Sequence, residues 1–207
     1  MDIIDSYNKL TLGKYMEIQE ISRNESLEDI DKQVQILSIL TGVAEEEILH
    51  LPIQDYKELV AKSGFLDPEN INYHPVAKKY LLGKFELIPC RDFRKIETCQ
   101  YIDFQTYAPD LDKYLVEFLS VILVPKGHRY NEGYDILEVQ QALKDNLSVT
   151  DALSLSAFFL TRYRNLIKDS LNSCRQEIRT IKNESKRMQM EERIKSLESL
   201  MRTSGDG

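Results

Sequence analysis

The residues able to ligate a metal are few and scattered. His50, His74 and His128 are the only histidines, each distant in sequence from the others and from Cys90, Cys99 and Cys174. Zinc sites recruit their ligands in close pairs, because two side chains on one short segment share the entropic cost of ordering. Neither His-x-x-x-His nor Cys-x-x-Cys spacing occurs, so a metal site would have to be assembled in space. A nucleophile needs a base and an orienting group. No Gly-x-Ser-x-Gly and no local Cys/His pairing is present, and the three cysteines read as core residues. Phosphate cradles need a glycine-rich loop ahead of a helix. Gly83-Lys84 is a lone glycine between apolar runs, and reads as a turn. Three acidic sets remain: Glu28/Asp29/Asp31, Glu45/Glu46/Glu47 and Glu191/Glu192. General acid–base work requires a carboxyl held in a pocket; the first two sets instead suit helix starts, where the dipole favours anions. The expectation is a chain that is not an enzyme and uses no cofactor and no metal.

Binding chemistry is better represented. Residues 126–134, Lys-Gly-His-Arg-Tyr-Asn-Glu-Gly-Tyr, form a glycine-bracketed loop that is basic at its start. Arg and Tyr are favoured anchors at protein interfaces, so the loop reads either as a contact loop or as a connector whose tyrosines cap the core. Arg91-Asp92-Phe93-Arg94-Lys95 is a short basic-aromatic patch without the extended stripe that a nucleic-acid backbone demands. Charge is unevenly spread. Net charge is −7, yet residues 175–202 hold 8 Lys/Arg against 5 Asp/Glu, or +3, which leaves −10 elsewhere. The tail therefore suits an acidic neighbour, such as the body of another copy, or else forms a solvated mixed-charge helix. The candidate protein-contact set is Arg129, Tyr130, Tyr134, Arg179, Lys186, Arg187, Ile194 and Leu197. The acidic total argues against coating nucleic acid.

At 207 residues the chain can hold one sizeable domain, or a domain with an extension. The cysteine pattern fits a reducing compartment. The opening Met1-Asp2-Ile3-Ile4-Asp5 lacks the basic and long apolar stretches of a signal peptide. The longest apolar run, 115–124, is too short to span a bilayer.

Periodicity organises the chain as mainly α. A helix is expected over 12–21 with Thr11 as N-cap, then a second capped by Ser26 and ended by Gly42. Turns follow over 45–50, and a helix after Pro52 closes at Gly64. After a polar connector at 67–75, Gly83-Lys84 predicts a β-hairpin near 80–89. A helix is expected over 98–107, with Cys99, Ile102 and Gln105 spaced by three. The run 111–124 reads as a central apolar helix stopped by Pro125. Residues 135–143 follow as a helix. Ser148-Val-Thr-Asp151 has capping-box logic and opens the strongest helix. That helix turns Leu155, Phe159, Tyr163 and Leu166 inward, with Leu153, Leu160, Ile167 and Leu171 beside them. No Gly or Pro interrupts 150–203, but the apolar stripe shifts phase from Cys174, Ile178, Ile181 and Met188 to Met190, Ile194, Leu197 and Met201. One uninterrupted coiled-coil seam is thereby excluded. Residues 204–207 read as a flexible end. The expected organisation is a short-helix region at 1–66, a helical core with the hairpin at 67–173, and a charged helical C-terminal extension at 174–207.

The string Ile39-Leu40-Thr41-Gly42, then Glu46-Glu47-Ile48-Leu49, Leu51-Pro52 and Tyr56, set among short helices, resembles small structural and assembly proteins of tailed bacteriophages. The succession continues with Gln100-Tyr101-Ile102-Asp103-Phe104-Gln105. It then runs through the apolar 119–125 into Lys126-Gly127, Tyr130, Gly133-Tyr134-Asp135-Ile136 and Ala157-Phe158-Phe159-Leu160. Over residues 10–170 it resembles virion-associated proteins of crAss-like bacteriophages, and is similar to helical tail-assembly-chaperone-like proteins of other tailed phages. The resemblance carries no active-site residue, and the tail beyond Cys174 lies outside it. It implies a structural protein of the virion, auxiliary to the portal vertex or head–tail junction and assembled in the host cytoplasm. Its implied partners are portal, capsid or tail-ring subunits, with many copies arranged by particle symmetry and neither nucleic acid nor membrane as a partner. The alternative it leaves open is an assembly chaperone absent from the mature particle.

Overall fold

The structure is a computed structural model that describes residues 2–181 and 183–203; the end at 204–207 lies outside them. Its helices are α1 (Leu12–Arg23), α2 (Asp29–Thr41), α3 (Glu45–Leu49), α4 (Ile53–Ser63), α5 (Thr98–Tyr107), α6 (Leu111–Ile122), α7 (Ile136–Asn146), α8 (Val149–Glu177) and α9 (Glu184–Thr203). Three strands, β1 (Tyr80–Leu82), β2 (Phe85–Pro89) and β3 (Leu123–Pro125), form one small antiparallel sheet in that order. The protein is thus mainly α, as its periodicity predicts. Two compact units are present: Met1–Leu87 with Asp135–Ser154, and Ile88–Tyr134 with Leu155–Gly207. No helix among the described residues is long and apolar enough to cross a membrane.

In the first unit, α1 and α2 bury Leu12, Ile18, Val34, Leu37 and Leu40. Gly42 ends α2 in the left-handed conformation at φ +71°, which costs glycine nothing because it has no Cβ. Tyr7 packs its ring edge against Phe65 at 5.4 Å and donates its hydroxyl to the Leu66 carbonyl at 2.7 Å. Burial pushes the Tyr7 pKa up to about 12. The chain on either side of α1's start is stitched to the α7–α8 junction. The Leu12 N–H donates to the Leu147 carbonyl at 2.8 Å, and the Val149 N–H donates to that of Leu10 at 3.0 Å. A Cβ at Gly13 would stand 3.1 Å from the Lys144 carbonyl oxygen, a tight contact, so the close approach of α1 and α7 favours glycine there. The hairpin turn has Gly83 at φ +55° as its first central residue, with Tyr80 opposite Leu87 and Leu82 opposite Phe85. Such a turn matches the twist of paired strands.

The second unit is centred on α6 and α8. Asp110 caps α6 by accepting the Lys113 N–H, and the helix buries Leu115, Val116, Phe118, Leu119, Val121 and Ile122. Rings join the elements: Phe104 lies 5.0 Å from Phe93, 5.1 Å from Phe118 and 5.0 Å from Tyr163. Here α8 buries Leu155, Phe159, Tyr163, Ile167, Leu171 and Cys174, while Arg162, Asn165, Asp169 and Asn172 face outward.

Several expectations are corrected. Helix α6 stops at Ile122, and Leu123–Pro125 is a strand. Proline disfavours the helical conformation of the residue before it, so Val124 is extended and the Cys90 N–H can reach the Ile122 carbonyl at 2.9 Å. Ser26 does not cap α2; its hydroxyl donates to Asn24 Oδ1 at 2.6 Å, and Glu28 occupies the cap position. Thr11 sits at the N-cap of α1 without a side-chain hydrogen bond. Helix α4 closes at Gly64 as expected, and Gly64 then opens a further 3-10 turn, Gly64–Leu66. Helix α5 has the expected bounds, but Cys99 is not a core residue. Gln100 and Phe104 are inside, whereas Cys99 is exposed and Ile102 is 55% exposed. Gln100 is drawn in because its amide donates to the Val121 carbonyl at 2.6 Å. Of the three cysteines only Cys174 belongs to the core, Cys90 being half-buried. Finally, helix does not run unbroken from 150 to 203. It stops at Glu177 and restarts at Glu184, where Asn183 Oδ1 accepts the Lys186 N–H at 3.1 Å as an N-cap should.

Candidate protein-contact surface

The loop 126–134 is held in shape by its own residues. Gly127, Asn131 and Gly133 have φ of +83°, +58° and +78°. Asparagine tolerates this region better than other non-glycine residues, since its short amide can bond locally. At Gly133 space is also restricted: a Cβ would lie 2.8 Å from His128 Nδ1. The loop thus turns three times in nine residues, which separates its side chains into an inner and an outer set.

Tyr130 belongs to the inner set. It is 5% exposed, and its hydroxyl donates to Asp103 Oδ2 of α5 at 2.8 Å. Burial, and then the neighbouring Asp103 carboxylate, raise its pKa above the ordinary tyrosine value. Tyr134 is half-buried; its hydroxyl oxygen accepts the Asn131 N–H at 3.0 Å, and its ring meets His128 edge-on. Both tyrosines fasten the loop. Arg129 is the outward member, with a side chain 68% exposed. Its guanidinium reaches Glu97 Oε1 at 2.7 Å and Glu132 Oε2 at 3.6 Å, so it also ties the loop to the start of α5. Such exposed pairs contribute little, because water and salt screen them.

The C-terminal members of the candidate set lie on or beside α9. Arg179 is exposed in the break between α8 and α9, and Lys186 and Arg187 are exposed in the first turn of α9. Arg187 shares its charge with Glu191 at 3.4 Å. Ile194 and Leu197 are half-buried with Met190, at i, i+4 and i+7 positions that share one helical face. One ion pair ties α9 to α8: Arg175 Nη2 to Glu198 Oε1, 2.6 Å, both side chains partly exposed. The structure thus groups Arg129, Tyr130 and Tyr134 in one loop, and Lys186, Arg187, Ile194 and Leu197 on one helix.

The basic-aromatic patch is divided. Phe93 turns into the ring cluster, and Arg94 pairs with Asp92, Nε to Oδ1 at 2.9 Å. The histidines remain apart in role. His50 Nδ1 lies 2.6 Å from the Glu46 carbonyl oxygen, and His128 meets the Tyr134 ring edge-on. His74 was not anticipated as a fastener. Its Nε2 lies 3.3 Å from Asp151 Oδ1, its N–H donates to Ser154 Oγ at 3.1 Å, and Asp151 Oδ2 accepts the Ser148 hydroxyl at 2.7 Å. The Ser148 hydroxyl oxygen also accepts the Asp151 N–H at 3.1 Å, completing a reciprocal cap on α8. Capping-box logic exposes Ser148 and Asp151 in the sequence; nothing there points to His74, 77 residues earlier than Asp151. Among the described residues no group of three His, Cys, Asp or Glu is arranged to hold a metal ion. In comparisons with known proteins, no family model, no curated protein and no solved structure matches the chain.

Proposed function

We propose that this chain is a non-enzymatic structural component of a tailed-bacteriophage virion. It serves at the portal vertex or head–tail junction, through contacts with portal, capsid or tail-ring subunits. The observation that carries the reading is α9: an amphipathic helix whose apolar face is only half covered by its own chain, and which one partly exposed ion pair among the described residues ties to α8. A sparse stripe stabilises an isolated helix poorly, so a neighbouring subunit gains by completing its burial. The phage-like succession over residues 10–170 supplies the setting. Repetition by symmetry supplies the strength, because contacts that are weak singly become strong when many are made together.

The test is quantitative mass spectrometry of gradient-purified particles against infected-cell lysate. A fixed copy number per particle is the expected result. Presence in lysate with absence from particles would overturn the structural role and leave the assembly-chaperone reading.

A further inference from the structure

The apolar side chains of α9 follow one strict pattern. Met190, Ile194, Leu197 and Met201 are spaced four, three and four, the alternation of a coiled-coil seam. In heptad terms Ile194 and Met201 take position a, and Met190 and Leu197 take position d. The phase change that excludes one seam over 150–203 lies before Met190, and within α9 the phase is constant. Burial agrees with this register. Met190, Ile194 and Leu197 are half-covered, and Met201 is 37% exposed, whereas every residue at the outer positions b, c and f between Ser185 and Ser199 is exposed.

The charges beside the seam are sorted by side. Glu184, Glu191 and Glu198 all fall at position e, and Lys186 and Arg193 fall at position g. Residues 184–201 hold four acids and four bases, so the helix has no charge bias of its own and suits a partner of the same kind. In a parallel pair each g residue faces the e residue of the following heptad on the other strand. Lys186 then meets Glu191 of the second copy, and Arg193 meets Glu198, each contact occurring twice by symmetry. In an antiparallel pair e faces e and g faces g, which sets carboxylates against carboxylates. Isoleucine at a with leucine at d, as in Ile194 and Leu197, favours two strands.

We propose that α9 of one copy pairs with α9 of a second copy as a parallel, in-register, two-stranded coiled coil. Arg187 at an a position fixes the register, because sliding by one heptad would set it against Ile194; in place it keeps Glu191 of its own helix at 3.4 Å. The 2.6 Å bond from Arg175 to Glu198 can persist, since a carboxylate accepts from two arginines. The contact is isologous and closes at two copies. This rests on α9 being a contact element, as proposed above, but not on the particle.

The experiment is sedimentation velocity of the full chain over a concentration series. Three variants accompany the parent: Lys186→Glu/Arg193→Glu, Glu191→Lys/Glu198→Lys, and Leu197→Ser. The parent is expected to dimerise as concentration rises. Each charge-reversed variant places like charges at all the e–g contacts and should associate about tenfold more weakly or worse. Leu197→Ser removes apolar cover without touching charge and should weaken association likewise. An equimolar mixture of the two charge-reversed variants should recover the parent's association, since acidic g then meets basic e and the reverse. Orientation has its own readout. In a Cys99→Ser background, Met190→Cys treated with oxidised glutathione should yield a disulfide-linked dimer, because identical seam positions meet only in a parallel, in-register pair. Variants that associate like the parent, a mixture that fails to recover while circular dichroism shows both variants folded, or no linked dimer above the Cys99→Ser background would each overturn the proposal. A parent that stays monomeric yet enters particles at a fixed copy number would overturn this contact and leave the virion reading standing.

Discussion

The Tyr130–Asp103 hydrogen bond should couple loop 126–134 to α5 by an amount that can be calculated in advance. Tyr130 is 5% exposed and its hydroxyl stands 2.8 Å from Asp103 Oδ2. A hydrogen bond to a charged acceptor contributes about 1.5–3 kcal/mol. Asp103 is only half-buried, so water partly replaces the lost donor and the lower end applies. Tyr130→Phe keeps the ring and should cost about 1.5–2 kcal/mol. Asp103→Ala should cost a similar amount, because it strands a buried hydroxyl. The double variant should cost little more than either, giving a coupling of about 1–2 kcal/mol in a double-mutant cycle. Urea unfolding at neutral pH, read as midpoint and slope, measures all four proteins. The alkaline limb adds a second readout. Burial and Asp103 raise the folded pKa of Tyr130 above its unfolded value near 10. The stabilisation is therefore complete below pH 10 and is lost as pH rises past it, at about 1.4 kcal/mol per pH unit. Tyr130→Phe should lose stability less steeply there. A coupling below about 0.5 kcal/mol, or identical alkaline slopes, would refute the assignment of this bond as the loop's fastener.

Tyr7→Phe should likewise flatten alkaline destabilisation between pH 10 and about 12, the range over which the folded Tyr7 hydroxyl resists ionisation; a pH series of thermal melts decides it. Phe104→Ala removes a ring 1% exposed from contact with Phe93, Phe118 and Tyr163, and should destabilise by about 3–5 kcal/mol in denaturant unfolding. Gly133→Ala places a Cβ 2.8 Å from His128 Nδ1 at φ +78° and should cost about 1–2 kcal/mol, whereas Gly42→Ala at φ +71°, with nothing within 4 Å of its Cβ, should cost only the backbone strain of about 1 kcal/mol; comparing the two melts separates strain from crowding. Asn183→Ala removes the N-cap of α9 and should lower helical circular dichroism, since capping contributes about 0.5–2 kcal/mol; a rise instead would mean that α8 and α9 join.

Legibility in the sequence followed the range of the interaction. Features set by neighbouring residues could be read: the Gly83-Lys84 turn, the Gly42 terminus, the start of α6 at Leu111 and the inward face of α8 from Leu155 to Leu171. Features set by distant partners could not. Ile102 has the apolar character of a core residue and yet lies outside, because Gln100 finds an acceptor at Val121, and Phe104 finds three rings, on other elements. Tyr130 was legible as a tyrosine that caps the core, whereas its partner Asp103, 27 positions earlier, was not. The third strand was concealed by composition, since Leu123 and Val124 continue the apolar run of α6 and only Pro125 hints that the backbone has already left the helix.

The break before α9 shows how local chemistry sets a contact surface. Without Gly or Pro between 150 and 203 a continuous helix was permitted, and the phase shift of the stripe was the one sign against it. A rigid helix would carry Cys174, Ile178 and Ile181 on one side and Met190, Ile194 and Leu197 on another, so no single surface could cover both sets. Ending α8 at Glu177 and starting α9 on Asn183 removes that conflict. Cys174 can stay buried with α8 while α9 takes a direction of its own, one that brings Glu198 to Arg175. The second half of the stripe then faces a surface chosen independently of the first. That half is only partly covered, with Lys186, Arg187, Arg193, Glu191 and Glu198 beside it, so the break separates a mixed-charge amphipathic helix from the end of α8.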